Sequence, residues 1–536
     1  MVSSFNTPPV IVVGASLVGL SAALCLASHQ VPTIVLEKHA GISAHPRAVG
    51  FTARTMEIYR SLGIENKEPA PDNFELKRLR IESLTGKWFE QTSWSDTEKK
   101  RDAKEVPAPK HQQNLSPPKK EYSASRGTAL PQDKLEPILE ALALELGTDI
   151  RREHTVLKVE QDQHGVMATV QDSQGKTHQI QGSYLIAADG NRSTIREHLK
   201  IPRQGRGFMQ NLHSVLFHAP LEQYSKGIVQ FDIDQPTLKA FLVSYSDGRW
   251  ALMFRDDIER DDTDLLSAIH QAVGDSSIPV DIITTGRWEL TALVADTFQS
   301  GRVFLAGDAA HTLPPNRGGY GANTGIHDVH NLAWKLAAVL GGRSSSGLLD
   351  TYDLERRPVA LLRHDQIFVR ADYKVHLDAK AAVGEKIDDD AMEFGQIYLS
   401  NGFVGVNGDL PRARKPDEWA GQPGTHLPHF WVERGGKRVS ILDVIGQKSW
   451  TLISASEEWE TVLLGVNERS RNTIRSVRVD DQLKGFQQAF SVCENGAALI
   501  RPDGYIAWRS NGMPSNAVDV LREVLGQVAF EVGFTE

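Results

Sequence analysis

The 536-residue chain holds only two cysteines, Cys25 and Cys493. Two thiols cannot build a disulfide framework or a cysteine-rich metal cluster. With no C-x-x-C pair, thiol–disulfide exchange is excluded as its chemistry. Positive charge is not in excess: 59 Lys and Arg stand against 68 Asp and Glu, a net charge of −9. The electrostatic footprint of a nucleic-acid binder is therefore missing. No Lys or Arg precedes the first apolar run, so a secretory leader's basic region is missing too. That run, Pro8 to Ala27, is uncharged for 20 residues, close to membrane-spanning length. Gly14 and Ser16 divide it into strand, turn and helix, which reads as a buried βα unit. These absences predict a cytoplasmic protein with no membrane span, no bound metal and no nucleic-acid partner.

The composition is that of an ordinary globular protein, 40% hydrophobic and 24% charged. The length exceeds one core and, at roughly 100–200 residues per domain, implies about three.

Two segments carry the first chemistry. Strand Val10–Val13 enters GASLVG (Gly14 to Gly19), a helix follows, and a second strand ends at Glu37-Lys38. This is the dinucleotide fingerprint: a tight turn, a helix N-terminus for a pyrophosphate, and an acid about 20 positions on for a ribose. Ser16 replaces the middle glycine, a departure that keeps the position small. The second segment is Gly301 to Leu336, GRVFLAGDAAHTLPPNRGGYGANTGIHDVHNLAWKL. A buried strand, Val303–Ala306, runs into Gly307-Asp308, a Pro/Gly loop, and an amphipathic helix that Gly341-Gly342 stops. Gly318, Gly319, Gly321 and Gly325 permit close backbone approach. The helix start is predicted just after Asn323.

This second segment resembles the GD-A-A-H…P…GG…N flavin motif of the aromatic-ring hydroxylases, the single-component flavoprotein monooxygenases of the p-hydroxybenzoate and phenol hydroxylase type. Other stretches resemble the same family: HPRAVG at His45 to Gly50, PQ-x-x-LE at Pro131 to Glu136, the DG motif Asp189 to Arg196, and Y-x-x-E-R-x-P at Tyr352 to Pro358. The resemblance implies noncovalent FAD held by Gly14, Ser16, Gly19, Glu37, Lys38, Arg47, Gln132, Asp189, Asp308, Pro315, Gly319, Gly321, Ala322 and Asn323. It places Asp308 on the ribityl chain, the helix start at the pyrimidine edge of the flavin, and Arg47 between flavin and nicotinamide. Glu355 and Arg356 are expected to brace the fold, and His45 to be structural.

The implied fold class is α/β, a Rossmann-like FAD-binding domain (1–72, 123–204, 289–400) with an inserted antiparallel substrate sheet (73–122, 205–288) and a thioredoxin-like C-terminal domain (401–536). Residues 93–122, charged and Pro-rich, read as a flexible excursion. Helical sequence is expected to continue to about Ser400. In the sheet, Phe208, His213, Phe217, Phe231, Phe241, Tyr245, Trp250 and Phe254 are candidates for the pocket wall, half of which alternation turns away. Arg47, His213 and Tyr245 are the catalytic nominees.

The implied reaction is hydroxylation of a bulky phenolic or polyketide-type aromatic by O2 and NADPH or NADH, through a C4a-hydroperoxyflavin, in secondary metabolism or aromatic degradation. The chain has no second fingerprint for NAD(P)H, as suits this family. A Baeyer–Villiger oxygenase on the same scaffold stays open, as does a catalytically silent flavoprotein partner. A flavin halogenase would need W-x-W-x-I-P, which is missing. The tail is expected to serve packing or homodimer contact.

Overall fold

The computed structural model describes residues 7–64, 77–93, 120–225, 228–245, 247–254, 256, 258–315, 319–369, 384–406, 408–446, 448–479 and 483–533. Gly318, most of the 93–122 excursion, and the stretch 370–383 expected to be helical lie outside the described residues.

In chain order, β1 (Val10–Val13), α1 (Leu17–Ser28), β2 (Thr33–Glu37) and α2 (Ala53–Ser61) come first. A hairpin, β3 (Lys77–Ile81) and β4 (Trp88–Ser93), follows. Then come α3 (Gln132–Glu145), β5 (Asp149–Arg152) and β6 (Leu185–Ala187). The next stretch holds β7 (Arg203–His218), β8 (Val229–Asp234), β9 (Lys239–Ser244), β10 (Arg249–Phe254), α4 (Asp262–Val273) and β11 (Asp281–Ala295). Strand β12 (Val303–Leu305) leads to α5 (Tyr320–Leu340) and α6 (Gly347–Val369). The C-terminal part has β13 (Trp450–Ser454), α7 (Glu458–Asn467), β14 (Ile474–Arg478), β15 (Ala497–Ile500), β16 (Ile506–Ser510) and α8 (Ala517–Val528).

The first sheet is parallel in the order β12-β6-β1-β2-β5, with the two-residue strand Gln299–Ser300 antiparallel on β12. Strand β1 is apolar at every position because helices cover both faces of such a sheet. Helix α1 is buried nearly all round, between this sheet and α5. Gly14 has φ +102°, and a Cβ there would lie 2.4 Å from the carbonyl oxygen of Ala188, so only glycine fits the turn. Gly325 permits the α1–α5 contact: a Cβ would lie 2.6 Å from Val18 Cγ2 and 2.8 Å from Gly307 Cα.

The second sheet, of eight strands, runs His311–Thr312, β11, β7, β10, β9, β8, β3, β4. It is antiparallel except where β3 joins β8 in parallel. Register shifts between Gly205 and Gly207 and between Phe208 and Gln210 interrupt β7 against β11. One face packs on α4 through Val215, Phe217, Phe231, Leu252 and Phe254. The other, with Leu216, Val243, Tyr245 and Ala251, meets Val49 and Ala129 of the first unit.

The four-stranded tail sheet has the order β14-β13-β15-β16, with β13 and β14 parallel and joined by α7. A further helix, Leu483–Phe490, precedes β15 and was not expected. Past α6 the described chain is not continuously helical to Ser400: one short helix, Asp389–Phe394, is followed by irregular backbone. Among the described residues no helix is long and apolar enough to cross a membrane.

Candidate functional site

The N-terminus of α1 opens one wall of the cleft. Ala15 N–H donates to Glu37 Oε2 (2.7 Å) and His39 N–H to Glu37 Oε1 (2.8 Å), so Glu37 is held by backbone at the end of β2. Lys38 is exposed beside it. A second carboxylate stands directly at the helix start. Glu136 Oε1 accepts from Leu17 N–H (3.0 Å), Ser16 Oγ (2.6 Å) and Gln132 Nε2 (2.7 Å). Burial raises its pKa, and these three donors oppose the rise. The helix start thus attracts a negative oxygen, as its free N–H groups and dipole require. Gln132 also accepts from Ala48 N–H (3.2 Å), which ties the His45–Gly50 segment to α3.

The turn after β12 lies beside the α1 start, with Gly307 packed against Val18. Gly307–Ala309 forms a single 3₁₀ turn, and Asp308 is exposed within it. The surrounding protein desolvates that carboxyl and raises its pKa, while His311 and Arg47 act to lower it. Arg47 is exposed and makes no hydrogen bond or ion pair with a described residue. Its charge therefore acts across the cleft on Asp308. Pro315 is exposed in the loop ahead of α5.

Helix α5 begins at Tyr320, not after Asn323 as expected. Gly319 is its N-cap, at φ +58°, and among the described residues no side chain caps it. Gly321 and Ala322, half-buried, belong to this uncapped first turn. Asn323 lies inside the turn, and its amide faces protein. Its Oδ1 accepts from Thr52 N–H (3.1 Å) and Thr55 Oγ1 (2.6 Å), and its Nδ2 donates to Gly50 and Gly319 carbonyls (3.2 and 2.6 Å). Asn323 thus seats α5 on α2 and leaves the backbone N–H groups of the turn uncapped.

Asp189 follows β6. Its Oδ2 accepts weakly from Ile195 N–H (3.4 Å), and its Oδ1 is buried without a partner. Burial raises its pKa. The DG-motif Arg196 donates to the carbonyls of Asn191 (3.0 Å) and Ala309 (3.1 Å), joining this motif to the Asp308 turn.

The second sheet supplies the remaining wall, and its two faces separate the nominees. His213 pairs with Phe254 and shares the α4-side face with Val215 and Phe217. The structure therefore does not bring His213 to Arg47 and Asp308. Single-residue alternation turns it away, and the same holds for Phe217, Phe231, Trp250 and Phe254. Tyr245 does lie at the cleft-side face, buried against Val49 and Ala129, with Arg249 5.6 Å from its ring centroid. Burial raises its pKa and keeps the phenol protonated. Leu212, Phe241, Met253 and Trp288 are only half-buried on this same face, as the pairings Leu212–Trp288, Ser214–Met253 and Phe241–Met253 require. Phe208 is exposed at the bulged start of β7. His45 Nε2 bonds Ser214 Oγ (2.7 Å) and its ring packs edge-on against Trp288, so it ties the Arg47 segment to the sheet.

Beneath the cleft lies a buried polar brace. Asp328 of α5 accepts from His311 Nε2 (2.8 Å), Gly307 N–H (3.3 Å) and Arg356 Nε (2.8 Å). Arg356 sits in this brace, whereas Glu355 belongs to a separate buried group with Lys335 (2.8 Å) and Arg501 (2.8 Å). Glu136, Asp328, Ser214 and the strip Leu212, Met253 and Trp288 were not nominated from sequence. Alternation along β7 groups Leu212 with Ser214, but Met253 and Trp288 join them only through cross-strand pairing, which the sequence does not show.

The family model described as an FAD binding domain matches residues 7–365, and that described as aromatic-ring hydroxylase, C-terminal, matches 420–528. Tetracenomycin A2 monooxygenase-dioxygenase of Streptomyces glaucescens is 34% identical, over 97% of this chain and 96% of its own. The 4-methyl-5-nitrocatechol 5-monooxygenase of a Burkholderia species is also 34% identical, over 96% of this chain and 97% of its own. Among solved structures, aklavinone-11 hydroxylase with FAD and aklavinone superposes with a TM-score of 0.85 at 29% identity, covering 97% of this chain and 99% of the other.

Proposed function

Because the chain belongs to the FAD-dependent aromatic-ring hydroxylases, we propose that the aromatic it hydroxylates is a bulky, neutral, multi-ring phenol of polyketide type. It is a monooxygenase with FAD as cofactor, and NAD(P)H is the cosubstrate of this class.

The cleft fits a dinucleotide. The Gly14 turn admits no side chain, the α1 start already attracts anionic oxygen, and Asp189 Oδ1 is a buried acceptor without a donor. In this reading the α1 start and Ser16 hold the pyrophosphate, Glu37 a ribose, Asp308 the ribityl hydroxyls, and the first turn of α5 the pyrimidine edge. FAD when bound supplies hydride acceptance and oxygen activation. The chain's own residues must orient the phenol, exclude water and place charge.

The carrying observation is the half-buried strip Leu212, Phe241, Met253 and Trp288 on the cleft-side face. It is apolar, and Arg249 at its edge is already neutralised by Asp133 (2.8 Å) and Asp247 (2.7 Å). An apolar strip suits a neutral fused-ring phenol better than a benzoate carboxylate, and the charge of the exposed Arg47 acts on Asp308. Tetracenomycin A2 and aklavinone, named for two of the similar proteins, are substrates that support this reading. Tyr245, held protonated, can donate a hydrogen bond to the phenol but not take its proton.

The test is NAD(P)H oxidation with a tetracyclic phenol and with a hydroxybenzoate, with products identified by mass and NMR. Coupled turnover of the tetracyclic phenol to a ring-hydroxylated product is expected. A higher kcat/KM for the benzoate would overturn the substrate class, and a lactone product would overturn hydroxylation.

A further inference from the structure

Helix α6 places two guanidinium groups against the first turn of α5. Arg356 donates to the Thr324 carbonyl (3.2 Å) and to Tyr398 Oη (2.7 Å), and Asp328 balances its charge at 2.8 Å. Arg363 lies two helical turns further along the same face. Its Nη1 donates to Thr324 Oγ1 (2.7 Å), and its guanidinium lies 5.3 Å from the ring centroid of Tyr320, the first residue of α5. Thr324 Oγ1 passes this on to the Tyr320 carbonyl.

Arg363 is only 3% exposed, yet among the described residues no carboxylate lies within ion-pair distance of it. Its Nη2 reaches Gln396 Oε1 only at 3.5 Å, and its Nε has no partner. A guanidinium does not shed its proton in a protein, so the charge remains. The carboxylate acting on it is that of Glu393, on the short helix beyond α6. Thr324 stands four residues into α5, about 6 Å along the axis. The charge therefore adds to the positive end of the helix dipole at a turn with no side-chain cap.

We propose that Arg363 is a positioning residue that acts through α5 to favour the reduced, negatively charged flavin over the oxidised one. This rests on the reading that the first turn of α5 faces the pyrimidine edge of FAD. A unit charge roughly 10 Å away at an effective dielectric of about 20 shifts an affinity ratio by about tenfold. For a two-electron couple a tenfold shift is about 30 mV.

The experiment measures the reduction potential of bound FAD in full-length holoprotein at pH 8, anaerobically, with FAD content and thermal melting in parallel. Arg363→Gln keeps a donor for Thr324 and removes the charge. It is expected to lower the potential by about 30 mV, a tenfold loss of preference for reduced flavin, with FAD content retained. Arg363→Lys is expected to recover more than half. An unchanged potential in Arg363→Gln, or equal losses in the Gln and Lys variants, overturns the proposal. Should Arg363→Gln not fold, Glu393→Gln removes the opposing charge without touching Arg363 and is expected to raise the potential; no rise there overturns it. Ala322→Asp separates the two readings. No change in it overturns the placement of α5 and the proposal together. A fall in it with no change in Arg363→Gln overturns the proposal alone.

Discussion

Arg501 and Glu355 form a bidentate ion pair, at 2.8 and 2.9 Å, with neither side chain reaching solvent although 146 residues separate them. Glu355 also accepts from Lys335 of α5 (2.8 Å), and Arg501 also donates to Asp503. The Asp503 carbonyl accepts from Arg54 Nη2 (3.1 Å) on α2. The tail hairpin thus docks by buried charge onto the helices beneath the cleft. Removing one partner of such a group strands the other, at about 3–5 kcal/mol. Arg501→Met should lower the melting temperature by several degrees and weaken FAD retention. An unchanged melting curve would mean that the cluster contributes nothing.

Asp308→Ala should release FAD. A charge-assisted hydrogen bond is worth ~1.5–3 kcal/mol, roughly ten- to a hundredfold in affinity. Flavin fluorescence titration of the purified variant measures it, and wild-type affinity would remove Asp308 from the cofactor site.

Ser16→Leu should abolish FAD binding by blocking approach to the α1 start. Ser16→Gly keeps the space but loses the 2.6 Å bond to Glu136, so a penalty of about 0.5–1.5 kcal/mol is expected. Full flavin occupancy in Ser16→Leu would show that this turn does not hold the pyrophosphate.

Arg47 is exposed and has no ion-pair partner among the described residues. Arg47→Ala should slow anaerobic reduction by NADPH while leaving resting FAD content intact, at a cost of ~2–4 kcal/mol in the transfer step. Arg47→Lys should restore only part, since the forked geometry is lost. Stopped-flow rates equal to wild type would return Arg47 to an ordinary surface role.

His327 and His426 are buried and held neutral, mainly by desolvation, with pKa values well below 6.5. The unfolded chain binds these protons first, so stability present above pH 6.5 is lost as pH falls below it. Each should remove about 1 kcal/mol per pH unit below 6. Glu393 works in the opposite sense, because burial raises its pKa to about 6 and the folded state takes up its proton first. Melting temperatures from pH 7.5 to 5.5 should fall, and replacing either histidine by Gln should flatten the fall.

The βαβ opening and the Asp308 turn were legible because their chemistry is local: apolar run, small turn residues and acid lie within one supersecondary unit. The sequence pattern places the start of α5 four residues late, since Tyr320 to Asn323 resemble loop until Asn323 is seen bonded back to Gly319. The sequence points to His213 because both faces of β7 carry apolar side chains, so alternation alone does not say which face meets the cleft. The full length of β7 was hidden by the shifts near Gly205 and Phe208, which break the two-residue period. Glu136 is 119 residues from Leu17, and Asp328 is 28 from Arg356. Contacts at such separations leave no periodic signal for a sequence to show.

The parallel pairing of β3 with β8 also has a consequence in time. During synthesis, Leu79 and Ile81 emerge long before their partners Phe231 and Ile233. At about 5–20 residues per second, the hairpin waits roughly 8–30 s for the strand that completes its edge. Trp88 and Phe89, 45% and 40% exposed even in the finished fold, stand uncovered through that interval. Yield from a cell is therefore expected to vary with elongation rate and chaperone supply over this window, and slower translation between the hairpin and β8 would lengthen the exposure.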